Sequence, residues 1–396
     1  MTAKQRVPIL TINAGSSSLK AAFYDTDGGE RLIHAVQAER IGQRGGRMRI
    51  QDRGGATLLD RREDLHDHAS VLRAFLDWRD HQGIATVPEA IGHRIVHGGM
   101  AYRAPHLITA EVLAELQRLV PIDPDHMPQA LAVFAVTKEL YPATPQVGCF
   151  DTAFHRSMPR VAQLYALPAR LADAGVIRYG FHGLSCEYIV DALSAIDGGA
   201  ASGRIIVAHL GNGASMTTIR GGASVDTTMG FTPTGGLVMG TRSGDLDPGV
   251  VLHLLQDGTS PAALDRLVHH EAGLLGVSGV SGDMRDLLDQ ESTDPRAADA
   301  VALFCYVARK FLGGLVAVLG GLDTLVFTAG IGEHAAPVRE RICAGLECFG
   351  VDLDPERNAK HAPIISRNGS RAVVRVMTTD EDLMIARHVR RLLSAG

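Results

Sequence analysis

The stretch ILTINAGSSSLKAAFYD, residues 9–25, sets a run of small and hydroxyl-bearing residues between two apolar runs. It has the composition of a phosphate loop but not the GxxxxGK[ST] spacing of a P-loop. Residues 7–12 are apolar and bounded by Asn-Ala-Gly, which predicts a short buried strand. Beyond the loop, Leu19, Ala21 and Phe23 alternate with Lys20, Ala22 and Tyr24. Period two predicts a second strand, whereas a P-loop runs into a helix. The loop therefore reads as the tight turn of a β-hairpin.

The same pattern returns at residues 204–228, RIIVAHLGNGASMTTIRGGASVDTT. An apolar strand runs into Gly-Asn-Gly, a second strand follows, then Gly-Gly, then a third. The first copy likewise continues through Gly28-Gly29 to the strand-like RLIHA. Two such turns about half a chain apart suggest a duplicated domain. The echo is one of pattern more than of residue identity, and chance likeness of two hairpins is the alternative. Between and beyond them, SVLRAFLDWRD, TAEVLAELQRLV and EDLMIARHVRRLL have helical spacing. AIGHRIVHGG and TPQVGCFDTAFH each read as a strand ending in a loop. TLVFTAGIGEHAAPVRERICAGL reads as a strand, a Gly-rich turn, then a helix with Pro337 near its first turn. Strands alternating with helices predict an α/β protein.

A length of 396 residues predicts two domains. A net charge of −5 argues against a nucleic-acid partner held by a basic surface. Cys149, Cys186, Cys305, Cys343 and Cys348 are odd in number and form no CxxC, so neither a disulfide framework nor a zinc site is suggested. A reducing, cytoplasmic compartment fits that usage. MTAKQRVPIL has no apolar core long enough for a signal peptide. The most membrane-like stretch, residues 311–332, is broken by Asp323 and punctuated by Gly, and reads as a buried helix followed by a buried strand.

Three Gly-rich turns, NAGSSS, HLGNGAS and AGIGEHAA, each follow an apolar strand. A lone one often only closes a hairpin. Three in one chain with a repeated hairpin pattern suggest backbone N–H groups and hydroxyls that hold phosphate oxygens without added charge. Arg94 in GHRIVHGG and Arg242 in GTRSGDLDPG sit among glycines at the ends of elements. A surface arginine is the plain alternative, since the chain has 34 arginines and five lysines. Gly on both sides, however, lets a ligand approach, and paired guanidinium groups suit a carboxylate or a phosphoryl group in flight. Asp151 follows the apolar VGCF, at the carboxyl end of a strand where α/β proteins bind ligands; a helix cap is the competing reading. His182 and His209 are candidates against the ordinary structural role of most of the 17 histidines.

Taken in order, INAGSSSLK, GHRIVHGG, FDTAFH, YGFHG, HLGNGAS, GFTP, MGTRSGDLDPG, GVSGDMRDL, FTAGIGE and TTDEDLMIAR resemble the motifs of acetate kinases, from residue 9 to 388. That family belongs with actin, the sugar kinases and the chaperone ATPases. The resemblance implies a duplicated actin-like, ribonuclease H-like fold of two lobes with the active site in the cleft between them. The lobes would be residues 1–153 plus 382–396, and 154–381, the second carrying most of the nucleotide site. It implies a homodimer, with acetate and ATP as substrates, ADP as product and magnesium (manganese as a substitute) as the metal. Asn13 and Glu381 match the metal residues. Lys20, with Ser16 and Ser18 of the same turn, falls where ATP is contacted. So do His209, Leu210, Gly211, Asn212 and Gly213; Asp283, Met284 and Arg285; and Gly330, Ile331, Gly332, Glu333 and His334. Arg94 matches the contact to the substrate carboxylate, His182 and Arg242 the stabilisers of the transition state, and Asp151 the residue usually given as acid/base. Val96, Ile122, Phe181 and Pro233 match the apolar pocket for the acyl methyl.

The chain departs from the family pattern at His334, where Asn is usual; at PIDPDHMPQ, which contains Ile122; at Thr234-Gly235; and at Cys186, where His is common. Acetate is already ionised at neutral pH and needs no base to become a nucleophile. Asp151 is therefore expected to orient charge, and transfer is expected to be direct and in line. Arg94→Ala and Arg242→Ala are each expected to cripple turnover with the fold intact. A propionate or butyrate kinase is the alternative within the class. A non-catalytic actin-like ATP-binding assembly protein is the alternative outside it.

Overall fold

The computed structural model describes residues 8–26, 29–84 and 87–394. Val7 and Gly28 of the expected hairpin grammar, and the first residues of the segment read for a leader, lie outside them. The chain divides into two compact units, residues 8–153 with 380–394 and residues 154–379 among those described. The boundary falls two residues before the expected 382, because the last helix begins at Glu381 and its N-terminal end belongs with the first unit.

The first unit holds an eight-stranded sheet. Its strands are β1 (Pro8–Ala14), β2 (Ser18–Asp25), β3 (Arg31–Glu39), β4 (Arg47–Asp52), β5 (Thr57–Arg62), β6 (Ala90–Ile95), β7 (His106–Leu107) and β8 (Gln146–Phe150), in the order β5-β4-β3-β2-β1-β6-β8-β7. β1 and β2 pair antiparallel from Pro8↔Asp25 to Ala14↔Leu19, and the Gly15 N–H donates to the Ser18 carbonyl at 2.8 Å. NAGSSS is thus a hairpin turn. Every residue of β1 is buried, so both faces of the strand are covered and its sequence is a continuous apolar run rather than an alternating one. On one side Leu10, Ile12, Leu19 and Phe23 pack with Val71, Leu72 and Phe75 of the helix His68–His81. The final helix, Glu381–Ser394, lies against β1 and β6. Gly92 makes that approach possible: a Cβ there would stand 2.4 Å from Ile385 Cγ2 and 2.7 Å from Val389 Cγ2.

The second unit holds β9 (Arg204–Leu210), β10 (Ala214–Arg220), β11 (Ala223–Thr227), β12 (Thr324–Thr328) and β13 (Val373–Val376), ordered β11-β10-β9-β12-β13. β9 and β10 are antiparallel, as are β10 and β11, while β9, β12 and β13 are parallel. The central five strands of the first unit, β3-β2-β1-β6-β8, repeat this order and these directions. The repeated topology accounts for the hairpin echo in the sequence.

Behind the second sheet, Ile205, Val207, Ile219 and Val326 pack with Cys186, Ile189 and Leu193 of the helix Gly183–Ile196. The helix Pro295–Leu319 is capped by Asp294, whose side chain accepts from the Arg296 N–H, and ends at Gly320 in the left-handed region. By length and composition it is apolar enough to cross a membrane. Its buried residues, among them Val301, Phe304, Ala308, Leu312 and Leu315, recur every three or four positions and form one face. One element departs from expectation. AGIGEH is itself a short helix, Ala329–His334, rather than a turn before one, and Pro337 lies in the first turn of the next helix, Ala336–Cys343.

Candidate active site

In the first unit, β1, β6 and β8 are parallel neighbours, so their carboxyl ends meet at one edge of the sheet. Asn13 sits near the end of β1, Arg94 near the end of β6, and Asp151 directly after β8. Arg94 is the hub. Its Nε donates to Asp151 Oδ1 at 3.1 Å, its Nη2 to Asp151 Oδ2 at 2.5 Å, and its Nη1 to Asn13 Oδ1 at 2.9 Å. Nη1 also lies 3.4 Å from Glu381 Oε2. Asn13 Nδ2 donates to that same oxygen at 3.0 Å. The Asp151 side chain is completely buried and that of Arg94 is 16% exposed. Burial works against the Arg94 charge, but the neighbouring Asp151 and Glu381 carboxylates outweigh it and hold the guanidinium above its ordinary pKa.

Asp382, next to Glu381, was not singled out by the sequence. Burial pushes its carboxyl up to about 7; Lys20 opposes that, Asp380 and Glu381 add to it, and Arg94 opposes it. Its Oδ1 is buried without a hydrogen-bond partner. Glu381 and Asn13 offer a carboxylate and an amide oxygen, with this orphaned carboxylate oxygen on the adjoining residue. All are hard donors of the kind that suits magnesium, which keeps several waters and takes one or two protein carboxylates plus phosphates. The donor chemistry fits the cation. The Asn13 oxygen and Glu381 Oε2 are both engaged by Arg94, and Glu381 Oε2 also accepts from Asn13. Ser16, Ser18 and Lys20 are all exposed at the hairpin turn.

In the second unit, His182 caps the helix Gly183–Ile196 with φ +57°, a left-handed conformation that few non-glycine residues adopt. Its ring stacks on that of His209, with centroids 4.1 Å apart and planes 20° from parallel. His182 Nδ1 meets the Ser215 hydroxyl at 2.9 Å, and His209 Nδ1 meets the Ser185 hydroxyl at 2.8 Å. A Cβ on Gly213 would lie 3.4 Å from His182 Nε2 and 3.6 Å from Arg242 Nη2. Both cationic or protonatable groups therefore face the space that Gly213 leaves. Arg242 is fixed from behind by its Nη1, which donates to the Pro233 carbonyl at 2.8 Å.

Within the second unit, the three stretches expected to meet nucleotide, 209–213, 283–285 and 330–334, lie around the turn after β9. The Gly240 N–H donates to the Asn212 carbonyl at 3.0 Å, and Gly282 packs on the Gly240 carbonyl. On the other side Gly332 packs on Ala208 and Leu210. Asp283 caps its helix by accepting from the Arg285 N–H at 2.9 Å, and pairs with the Arg285 side chain at 2.7 Å. The side chains of Leu210 and Met284 are buried in the core, so at those two positions the backbone is what can meet a ligand. Gly330 and His334 are exposed, Ile331 and Glu333 half-buried.

Of the expected acyl-pocket residues, Val96 and Phe181 are buried, Pro233 is buried, and Ile122 packs at the rim of the cluster of Leu119, Met127 and Phe150. Val96 and Ile122 belong to the first unit, Phe181 and Pro233 to the second. Sequence reading missed Ser185, Ser215, Asp382 and Arg339. Ser215 and Asp382 lie inside motifs already singled out, two residues from Gly213 and next to Glu381, and Ser185 lies two residues beyond YGFHG. Arg339 carries no sequence signal among so many arginines. It is fully buried and donates through Nη1 to the carbonyls of Gly332 and Glu333, both at 2.9 Å.

Residues 8–387 match the Acetokinase family. The chain is 46% identical over 397 residues to the acetate kinase of Methylocella silvestris, covering 97% of this chain and 98% of that one. It is 42% identical to the acetate kinase of Streptomyces coelicolor, covering 98% of this chain and 97% of that one. Among solved structures, it resembles the acetate kinase of Porphyromonas gingivalis with a TM-score of 0.86 at 35% identity, over 98% of this chain and all of that one. A propionate kinase from Francisella tularensis gives a TM-score of 0.89 at 32% identity, over 96% and 98%. These neighbours share the duplicated actin-like fold, whose repeated sheet topology is present here in both units. With the match running through both sheets and the last helix, the chain belongs to the acetokinase family.

Proposed function

We propose that the protein transfers the γ-phosphoryl group of ATP to acetate, giving acetyl phosphate and ADP, and that it also runs in reverse. The observation that carries the reading is Arg94, a guanidinium held at the carboxyl ends of three parallel strands by a fully buried aspartate. Asp151 takes the Nε–Nη2 edge of Arg94, and the remaining N–H groups of Nη1 and Nη2 suit a carboxylate substrate. Acetate arrives ionised, so what must be overcome is the repulsion between two anions. Arg94 offsets the charge of the acid. His182 and Arg242, facing the space above Gly213, offset the charge that spreads over the phosphoryl oxygens in an in-line transfer. Backbone N–H groups of residues 211–213 and 330–334, with Lys20, Ser16 and Ser18, bind the nucleotide phosphates. Asp283 and Arg285 border the same nucleotide site. In this reading Glu381, with Asn13, holds magnesium, which when bound neutralises phosphate charge. Asp151 keeps the Arg94 fork in place and accepts no proton from acetate.

Val96, Ile122, Phe181 and Pro233 line the acyl group. One methylene in an apolar pocket is worth only about 1–3 kcal/mol, and the likeness to a propionate kinase supports propionate as a second substrate. Hydroxamate trapping with ATP, magnesium and acetate, propionate or butyrate tests both readings. Acyl hydroxamate with the highest kcat/KM for acetate supports the first. ATP hydrolysis without acyl phosphate supports an actin-like assembly protein and defeats both.

The homodimer is supported by the helices Pro248–Gln256 and Pro261–Arg266, which bury no residue within the single chain. Leu246, Val250, Leu252 and Leu255 are left exposed there, an apolar patch of the kind that marks an interface. A cytoplasmic location is supported by the five cysteines, all free thiols.

A further inference from the structure

The stacked pair His182 and His209 is held by two serines in a crossed arrangement. Ser185, in the first turn of the helix Gly183–Ile196, bonds the ring carried by β9. Ser215, on β10, bonds the ring at the helix cap. Ser215 stands opposite His209 in the β9–β10 ladder, yet its hydroxyl reaches past that neighbour to His182. Both serines are 0–1% exposed. A buried hydroxyl needs a partner, and here each has one imidazole Nδ1.

A hydroxyl can donate to an unprotonated Nδ1 or accept from a protonated one, and the choice fixes the tautomer of the ring. If the serine donates, the ring proton sits on Nε2. For His182 that is the atom turned, together with Arg242 Nη2, toward the space above Gly213. A phosphoryl group presents only acceptor oxygens, so it needs Nε2–H and is repelled by a bare Nε2 lone pair. Two imidazoles stacked at 4.1 Å also disfavour being cationic together. Neutral rings with defined tautomers meet both demands.

We propose that Ser215 and Ser185 are positioning residues for phosphoryl transfer: each donates its hydroxyl proton to Nδ1 of one histidine of the stack, which locks both rings in the Nε2–H tautomer. The inference rests on the phosphotransferase reading only for what the Nε2–H groups face; the tautomers themselves are independent of it. The crossed pairing also ties the strained helix cap at His182 to the hairpin that carries His209, so losing either hydroxyl loosens both rings.

The test uses the full chain with selectively 15N-labelled histidine, resonances assigned by His182→Gln and His209→Gln. In the wild type, Nδ1 of both rings should give the shift of an unprotonated nitrogen and Nε2 that of a protonated one. Ser215→Ala should leave His182 as a mixture of tautomers and lower kcat by about 10-fold or more, the scale at which outer partners of functional histidines act. KM for acetate should stay within about twofold, since neither serine touches the acid. Ser215→Thr, which keeps the hydroxyl on a strand that accepts β-branched residues, should restore the tautomer and most of kcat. Ser185→Ala should do the same to His209. A wild-type Nδ1–H signal on either ring overturns the proposal, and so does an alanine variant whose tautomer and kcat both match wild type. If Ser215→Ala does not fold, the wild-type spectrum and Ser215→Thr still decide. Wild-type protein that makes no acyl phosphate while showing the expected tautomers refutes the functional reading and leaves the tautomer lock standing.

Discussion

At Arg94 one side chain holds Asp151, Asn13 and Glu381 together. Arg94→Ala therefore does more than remove a substrate contact. It leaves the Asp151 carboxylate buried without its cation, which costs about 3–5 kcal/mol of stability where such pairs have been broken. The sequence reading expects an intact fold for this variant; the fully buried partner argues for a destabilised one, seen as a lowered melting temperature as well as lost turnover. Arg94→Ala/Asp151→Asn should recover stability without recovering activity, and calorimetry beside the hydroxamate assay checks both. Arg94→Lys should stay impaired, because an ammonium cannot span both Asp151 oxygens. For Asp151→Asn, kcat should fall with no pH-dependent limb disappearing from the rate profile. Loss of a wild-type limb, with a solvent isotope effect on the chemical step, would show true proton transfer instead.

The last helix links packing to the candidate metal residues. It starts at Glu381 and rests on β6 through Gly92, where a methyl group would stand 2.4 Å from Ile385. Gly92→Ala should push the helix off the sheet, with a cost of about 1–3 kcal/mol typical of overpacking. Because Glu381 is the first residue of that helix, the same variant should need more magnesium for half-maximal activity. A magnesium titration that matches wild type would mean that the helix start does not depend on this contact. In the second unit the long helix Pro295–Leu319 fills the core with Phe304 and Leu312, both buried. Phe304→Ala should lower stability by about 3–5 kcal/mol, measured by urea unfolding.

Over the whole chain, acid stability is set by opposed groups. Burial lowers His93 and His155 to about 4, partly countered by a hydrogen bond to each. As pH falls from about 6.5 to 4, the unfolded chain takes up protons that the folded chain refuses. Stability from these two residues is present above that window and lost below it, on the order of 3 kcal/mol each. Asp382 runs the other way: its raised pKa of about 7 stabilises the fold at low pH and loses that contribution as pH rises toward 7. Urea midpoints should therefore climb between pH 4.5 and 6.5, and climb more steeply in Asp382→Asn. Equal midpoints at both pH values in that variant would rule out neutral buried histidines. A separate measurement, sedimentation, tests the proposed homodimer: the wild type should give dimers and Val250→Asp/Leu252→Asp monomers.

The sequence by itself determined the hairpins, because period-two alternation on either side of a Gly-rich turn has one economical structure in water. It also determined the long helix, whose apolar residues recur at helical spacing, and most of the candidate residues, which sit in long ordered motifs. The repeated sheet order needed the structure, since strand neighbours such as β1 and β6 are separated by some eighty residues that no local pattern spans. AGIGEH defeated local reading for a related reason. Its glycines favour a turn, but packing of Gly332 against β9 and the buried Arg339 hold it as a helix. Above all, partnership was invisible in the chain. That Arg94 is clamped by Asp151, and that Ser215 answers His182 rather than the His209 opposite it, depends on directions in space. A sequence fixes the types of residue available for such pairs; only tertiary packing decides which of them meet.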